Sequence, residues 1–257
     1  MTKIQYFKKI HQNEQPLIIG NVWNVQSAKV YEELGYKAIA TSSSAIAHSL
    51  GYEDGEQISF KEYFYIIERI TRSVSIPISV DLESGYGNDV EKIVDNILRL
   101  SEIGVVGINL EDSCVINGVR TLLDNDVFYE KLKVIIARLK NNGTEIFINI
   151  RTDTFLLGLE NALNETLERI KMLEELNIDG IFVPCITSKK DIEATTKSTS
   201  LPINVMCMPD LPNFGTLQKL GIKRISTGNF LNEYIYENLK DINRDIDLKQ
   251  NFSPVFL

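Results

Sequence analysis

Cysteine, histidine and tryptophan are scarce in this sequence, with three, two and one copies among 257 residues. The cysteines, Cys114, Cys185 and Cys207, are odd in number and lack the spacing of metal ligands. This pattern argues against a disulfide framework and favours free thiols in a reducing compartment. We therefore expect a cytoplasmic protein.

Long apolar runs and an excess of positive charge are also missing. No apolar run approaches the roughly 18 residues that a membrane-spanning helix needs. The N-terminal segment lacks the continuous apolar stretch of a signal peptide, so we expect none. Lysine and arginine total 27 against 35 acidic residues, which gives a net charge of −8. Because an acidic surface repels nucleic-acid phosphates and anionic lipids, we expect neither a nucleic acid nor a membrane as a partner.

The sequence does contain a pattern that recurs eight times: a short β-branched apolar run, a polar loop and an amphipathic stretch. Such alternation is typical of a parallel sheet covered by helices, and eight units predict an α/β fold, the (β/α)8 barrel. A doubly wound sheet would show a glycine-rich turn after its first strand, where this chain reads WNVQSAK. The predicted strands are residues 17–23, 38–42, 77–83, 105–111, 145–151, 179–185, 202–207 and 223–228.

Two segments lie outside the repeat. We interpret residues 1–257 as a single barrel domain, with residues 229–257 as a C-terminal helix and tail. Residues 3–12 are predicted to form a short helix that plugs the floor of the barrel. The apolar tail, residues 252–257, indicates docking either onto its own barrel or onto a neighbouring copy.

Acidic residues follow the third and fourth predicted strands, and an arginine ends the fifth. Asp81 and Glu83 are spaced i, i+2, which predicts that both side chains lie on one face of the strand. With Glu111, they would raise one another's pKa values unless a cation compensates. That cation is either Arg151 or a divalent ion, and all-oxygen ligands favour Mg²⁺ or Mn²⁺ over zinc. Barrel-rim salt bridges are the alternative interpretation.

The loop after the second predicted strand carries hydroxyl groups and one acidic residue. Ser42 and Ser43 offer hydroxyl and backbone donors that suit a carboxylate or phosphonate oxygen. Asp54 lies in the turn-like phrase YEDGE. An ordinary serine-rich loop and a plain turn residue are the alternatives.

The stretch 112–124, DSCVINGVRTLLD, is polar and contains a glycine. We predict that it is a mobile loop over the barrel mouth, where lids are placed. Asn117 and Arg120 would then reach a ligand, and solvated loop residues are the alternative.

Four phrases of this chain resemble the isocitrate lyase/phosphoenolpyruvate mutase superfamily. They are SSSAIAHSLGYEDGE (42–56), SVDLESGYGN (79–88), GINLEDS (107–113) and NIRTD (149–153). The resemblance implies a (β/α)8 barrel, often with the last helix exchanged within a dimer or tetramer. It also implies that Mg²⁺ orients a 2-oxo acid whose reaction passes through an enolate.

The resemblance further implies roles for single residues. Asp81 is similar to the direct ligand of Mg²⁺, with Mn²⁺ as the alternative ion. Glu83 and Glu111 resemble ligands that act through water, and Glu111 is also expected to serve catalysis.

Other positions resemble the family's substrate-binding and catalytic residues. Arg151 is similar to the residue that binds the substrate carboxylate or the enolate oxygen, and Asp54 to a further acidic residue near the metal. Ser42 and Ser43 match the loop that grips a carboxylate or phosphonate. From the lid segment itself we expect Asn117 and Arg120 to contact the substrate.

The chain also departs from the superfamily's pattern. The lyase branch has a K-[KR]-C-G-H motif after L-E-D, whereas Cys114 lies too close to Glu111 to match its cysteine. At the end of strand six, where some members have a histidine, this chain has Pro184. Cleavage of isocitrate or methylisocitrate is therefore disfavoured.

We predict a Mg²⁺-dependent lyase or mutase-type enzyme that makes or breaks a C–C or P–C bond beside a 2-oxo acid. Decarboxylation or cleavage of an oxo-dicarboxylate is favoured. The alternatives are a phosphonopyruvate hydrolase or phosphoenolpyruvate mutase-like enzyme and a non-catalytic barrel that binds oxo acids. The expected partners are a small anionic substrate and further copies of the chain in a homodimer or homotetramer.

Overall fold

The computed structural model describes residues 1–256, and within them the chain forms ten strands. They are β1 (Leu17–Val22), β2 (Ile39–Thr41), β3 (Ile78–Asp81), β4 (Gly107–Glu111), β5 (Ser113–Ile116), β6 (Val119–Leu122), β7 (Phe147–Arg151), β8 (Gly180–Phe182), β9 (Ile203–Met206) and β10 (Arg224–Ser226). Eight of these close a barrel in the order β1-β2-β3-β4-β7-β8-β9-β10, and every neighbouring pair is parallel. The predicted (β/α)8 barrel is confirmed, and each predicted strand run contains one barrel strand.

Helices cover the outer face of the barrel. They are α1 (Lys3–Ile10), α2 (Val25–Glu33), α3 (Ser43–Ser49), α4 (Phe60–Thr71), α5 (Val90–Glu102), α6 (Asn125–Asn141), α7 (Ala162–Leu173), α8 (Lys189–Lys197), α9 (Phe214–Lys219) and α10 (Phe230–Lys249). The apolar stripe of α5 shows how they bind the sheet, because Ile93, Ile97 and Leu100 are all buried at helical spacing. Gly104 follows that helix with φ of 95°, a left-handed conformation that ends the helix and returns the chain to β4.

The segment 113–122 corrects one prediction. It is not an irregular loop but an antiparallel hairpin of β5 and β6. Its turn consists of Asn117 and Gly118, both at positive φ (53° and 77°), the conformation that two-residue hairpin turns require. An Asn-Gly pair between alternating residues was the sequence signal for this hairpin.

The floor of the barrel is closed by α1, as predicted. Phe7 is fully buried and packs edge-on against Phe147 of β7, with ring centroids 5.2 Å apart. His11 stacks on the same ring at 4.3 Å, and its Nδ1 lies 2.8 Å from the carbonyl oxygen of Phe7. These contacts place α1 beneath the amino ends of the strands.

The C-terminal helix α10 leaves most of its surface in solvent. Asn232 is its one buried residue. Seven large apolar side chains of the helix are exposed: Leu231, Tyr234, Ile235, Tyr236, Leu239, Ile242 and Leu248. The tail forms a 3₁₀ turn, Ser253–Val255, against α10, and its side chains Phe252, Val255 and Phe256 are exposed rather than docked on the barrel. Residue 257, part of the predicted tail, lies outside the described residues.

No helix within residues 1–256 has both the length and the apolar character needed to cross a membrane.

The buried His11 predicts a loss of stability in acid. Burial, followed by the positive charge of Arg224, lowers the pKa of His11 from 6.5 to about 3. Between those values the unfolded chain binds a proton that the folded chain does not, so stability falls as the pH drops below 6.5. We expect this residue to lower the free energy of unfolding by about 2 kcal/mol between pH 7 and pH 5. Urea unfolding of the wild type and of His11→Phe at both pH values measures this difference, and an identical pH dependence in the two proteins would contradict it.

Candidate active site

A cavity of about 190 Å³ opens at the carboxyl ends of the barrel strands. Barrel enzymes place their active sites at this end. The polar lining contributed by the strands and the β2–α3 junction includes Asn21, Ser42, Ser43, Asp81, Asn109 and Arg151. Leu156, Phe182 and Met206 form an apolar part of the lining. The cavity thus combines a small volume with a charged, hydrogen-bonding surface.

Asp81 ends β3 and faces this cavity. Its backbone N–H donates to Thr41 Oγ1 at 2.9 Å, which ties the end of β3 to β2. Ser43 Oγ donates to Asp81 Oδ2 at 2.9 Å, and Asn109 Nδ2 lies 3.4 Å from Oδ1. Burial raises the pKa of Asp81, although the charge of Arg151 and the Ser43 hydrogen bond oppose the shift. No salt bridge occupies this carboxylate within the described chain.

Arg151, at the end of β7, is held by two buried carboxyl groups. Its Nε and Nη2 donate to the two oxygens of Asp153 at 2.6 and 3.1 Å, a bidentate pair. Its Nη1 lies 3.1 Å from Glu111 Oε2. Asp153 is fully buried and Glu111 is 2% exposed. The guanidinium group of Arg151 is therefore fixed in place and largely neutralised.

Arg120 reaches the same group from the hairpin. Its Nη1 contacts Glu111 and lies 3.3 Å from Asp153 Oδ2, and its Nη2 lies 3.0 Å from Asp54 Oδ2. Burial raises the pKa of the Glu111 carboxyl, while Arg151 and Arg120 favour its charged form. We call Glu111, Asp153, Arg151, Arg120 and Asp54 the mouth lattice. It connects β4, β7, the hairpin and the loop after α3.

A further buried ion pair, between Asp112 and Arg169, adjoins the mouth lattice. Asp112 Oδ1 accepts the backbone N–H of Asp153 at 2.9 Å, and Oδ2 lies 3.1 Å from Arg169 Nη1. Arg169 Nη2 also donates to the carbonyl oxygen of Leu123 at 2.9 Å, just after the hairpin. Asp112 thus orients the residue that orients Arg151.

The structure gives Glu83 a backbone conformation that differs from the predicted strand. The strand ends at Asp81, and Glu83 adopts φ of 48°, so strand alternation does not apply to it. Its carboxyl group accepts Tyr86 Oη at 2.6 Å and the backbone N–H of Glu56 at 3.1 Å. Burial and the charges of Asp54 and Glu111 raise its pKa well above the usual range. Glu83 therefore lies buried beside the lattice, outside the cavity lining.

The other predicted residues divide between the cavity and the surface. Ser42 caps α3 by accepting the N–H of Ala45 at 3.2 Å, and it lines the cavity. Asp54 lines it as well. Asn117 is different: it lies at the exposed tip of the hairpin and makes no described side-chain contact with the site. Asn117 does not line the cavity, and its contact with a substrate stays a prediction.

Comparison with known proteins assigns the family. Residues 7–247 match the family model described as phosphoenolpyruvate phosphomutase. This chain belongs to the phosphoenolpyruvate phosphomutase family. Its predicted membership of the isocitrate lyase/phosphoenolpyruvate mutase superfamily is confirmed, and so is the prediction of an enzyme of the lyase and phosphomutase class.

Three members of the superfamily illustrate the range. A solved structure of a candidate phosphonomutase from Burkholderia cenocepacia J2315 is 34% identical, with a TM-score of 0.88, over 94% of this chain and 99% of that one. The oxaloacetate decarboxylase of Paraburkholderia xenovorans is 22% identical over 81% of this chain and 70% of its own length. A phosphonopyruvate hydrolase, solved with oxalate and Mg²⁺, shares the fold at 19% identity and a TM-score of 0.86, covering all of this chain and 90% of its own.

The oxygen donors of this family member fit a hard divalent cation. Asp81 faces the cavity with no salt bridge, and Asp54 Oδ1 is a buried oxygen without a hydrogen-bond partner. Within residues 1–256, no three acidic, histidine or cysteine side chains converge closely enough to hold an ion directly. A Mg²⁺ ion bound by one carboxylate and several waters agrees with both observations.

Sequence reasoning assigned no role to three residues of this family member's site. Arg224 and Asn109 line the cavity from inside the barrel, and Asp153 is the centre of the mouth lattice. Arg224 had a sequence signal, since an arginine inside a short predicted barrel strand, between Ile222 and Ile225, is unusual. Asp153 follows Arg151 by two residues, but its contacts with Arg120 and Ser113 depend on the fold. Asn109 had no signal, because its partners lie on other strands.

The contacts of Arg120 predict that it holds the hairpin closed. Arg120→Met removes the side chain that bonds to Glu111, Asp54 and Asp153, so the hairpin should open more often. We expect the amide hydrogens of residues 113–122 to exchange at least about tenfold faster. Hydrogen exchange followed by mass spectrometry measures this, with Arg138→Met as the control because its pair with Glu91 is exposed. Unchanged hairpin exchange would show that other contacts hold it.

Proposed function

We propose that this protein is a Mg²⁺-dependent enzyme that breaks a C–C bond beside a 2-oxo acid through an enolate, with an oxo-dicarboxylate as the favoured substrate. One observation carries the proposal. A free carboxylate, Asp81, and a fixed guanidinium group, Arg151, face the same small cavity at the barrel mouth. These are the groups that a chelated 2-oxo acid and its enolate require.

The cation would be held by Asp81, with water in its other positions. Glu111, which is bonded to two arginines, and Glu83, which lies outside the cavity lining, would act on it only through intervening waters. When bound, Mg²⁺ polarises the oxo group and stabilises negative charge on its oxygen. Ser43 orients Asp81 by its 2.9 Å hydrogen bond. The mouth lattice keeps Arg151 in one position, so its N–H groups need no rearrangement as charge develops on the substrate.

The chemistry of the cavity lining favours C–C over P–C cleavage. The described lining includes no lysine, histidine or cysteine. Arg120, the cation on the hairpin, is already bonded to three carboxyl groups. Arg224 is the one arginine of the described lining without a salt bridge. A metaphosphate-like fragment would need free cations in addition to one that binds the substrate carboxylate, whereas loss of carbon dioxide needs only stabilisation of the enolate. Protonation of the enolate carbon is then assigned to water, since the described lining includes no lysine, histidine or cysteine that could donate the proton.

The similarity to an oxaloacetate decarboxylase supports the first candidate. Membership of the phosphomutase family makes an enzyme that acts on a phosphonate the second candidate. Both candidates use the same 2-oxo acid site and differ in the group that leaves. A turnover assay therefore separates them.

The proposal predicts that oxaloacetate is converted to pyruvate only when Mg²⁺ is present. Proton NMR follows oxaloacetate, phosphorus NMR follows phosphonopyruvate, and the uncatalysed rate with Mg²⁺ alone is subtracted. Asp81→Asn should lower the catalysed rate at least about 100-fold, because the ligand of the cation is lost. Conversion of phosphonopyruvate but not of oxaloacetate would contradict C–C cleavage and favour phosphonate chemistry. No turnover of either compound, with oxalate still bound, would favour a non-catalytic oxo-acid-binding barrel.

We also propose that the chain forms a homodimer or homotetramer through α10. Its seven large apolar side chains are exposed within residues 1–256, and α10 adjoins the cavity through Phe230 and Glu233. A patch of this kind marks an interface. A second copy of the chain is the partner implied by the family's exchange of the last helix.

The interface predicts a change in mass. The double variant Ile235→Asp and Leu239→Asp should be monomeric, because it places charges in the apolar face of α10. Light scattering after size exclusion measures the mass of the wild type and the variant. Val127→Asp, on the exposed face of α6, is the control. A monomeric wild type would contradict the proposed assembly.

A further inference from the structure

Arg224 is an unpaired cation inside the barrel. It begins β10 in register with Leu17 of β1 and Asn204 of β9, and the residue is 1% exposed. Its Nε and Nη1 atoms have no hydrogen-bond partner, and no carboxylate lies within salt-bridge distance in residues 1–256. Burying a guanidinium group without hydrogen-bond partners lowers the stability of the folded protein, so its presence here indicates a functional role.

The asparagine side chains around Arg224 already have hydrogen-bond partners. Asn204 Oδ1 accepts from Asn149 Nδ2 at 3.4 Å, and Asn204 Nδ2 donates to the carbonyl oxygen of Val205 at 2.7 Å. Asn21 Oδ1 accepts the N–H of Gly228 at 2.9 Å. None of these hydrogen bonds involves the guanidinium group, and Nε2 of His11, whose pKa is lowered by burial and by the charge of Arg224, has no hydrogen-bond partner either. The space open to the guanidinium group is the cavity, which Arg224 lines.

The two arginines that face the cavity differ in their counter-charges. Arg151 is paired with Glu111 and Asp153, whereas Arg224 has only Asp81 as a favourable charge nearby. Burial lowers the pKa of Arg224 to about 10, so the side chain still carries its charge at neutral pH. Of these two cations, Arg224 is the one whose charge is not yet balanced.

We propose that Arg224 binds the carboxylate of the 2-oxo acid from inside the barrel, in the cavity that Ser42 and Ser43 also line. This rests on the proposed function and adds the residue that supplies the charge for substrate binding. Ser42 and Ser43, which line the same cavity, contribute neutral donors. Arg151 is then left to face the oxygen on which negative charge develops. A planar guanidinium group suits a carboxylate because it donates two parallel hydrogen bonds.

Calorimetric titration with oxalate in the presence of Mg²⁺ tests this assignment. We expect Arg224→Met to weaken oxalate binding at least about 100-fold, because the neutral side chain cannot pair with a carboxylate. Arg224→Lys should weaken it about tenfold, since an ammonium group keeps the charge but not the bidentate geometry.

Thermal unfolding separates a binding role from a structural one. Arg224→Met removes an unpaired buried charge, so its melting temperature without ligand should equal or exceed that of the wild type. Arg169→Met is the matched control: it breaks a buried ion pair with Asp112 and should lower the melting temperature. Added oxalate and Mg²⁺ should stabilise the wild type but not Arg224→Met.

The outcomes distinguish this inference from the proposed function. Absence of Mg²⁺-dependent oxalate binding in the wild type would contradict the proposed function and the inference together. Normal binding in the wild type and in Arg224→Met would overturn the inference alone. An Arg224→Met protein that fails to fold, or melts well below the wild type, would overturn it too, because Arg224 would then be structural.

Discussion

Two guanidinium groups and three carboxyl groups form a network of salt bridges at the mouth of the barrel, and this network holds the residues of the site in position. Asp153 is fully buried and bonds to both Arg151 and Arg120, and its backbone N–H donates a hydrogen bond to Asp112. Removing one member would leave buried charges unpaired, at a cost of about 3–5 kcal/mol for such a pair. The lattice therefore joins two barrel strands, the hairpin and the loop after α3 at one point.

This arrangement assigns different tasks to neighbouring charges. Carboxyl groups inside the lattice hold arginines in place, whereas Asp81, at the end of the adjacent strand, stays free of salt bridges and faces the cavity. Arg224 approaches the same space from within the barrel. The cavity is thus bordered by the carboxylate of Asp81 and the guanidinium group of Arg224, neither of which has a salt bridge, and this combination suits a cation and an anionic ligand bound together.

The strands of the barrel could be predicted from sequence because each is a short apolar run, and Asp81 and Arg151 could be found because they end two of those runs. Strand alternation could not place Glu83, since it holds only while the strand continues and this residue turns to positive φ, although Glu83 does lie near Asp54 and Glu111. Other contacts of the mouth lattice join residues that are far apart in the sequence, so they could not be predicted from it. Asp153 and Arg120 are 33 residues apart, and only the closed barrel brings them together.

Crystals soaked with Mn²⁺ and oxalate would test the central claim most directly, through anomalous scattering from the metal. The account predicts a Mn²⁺ peak beside the Asp81 carboxylate, with an oxalate carboxylate within hydrogen-bond distance of Arg224. A metal peak away from Asp81, or oxalate bound outside this cavity, would contradict it.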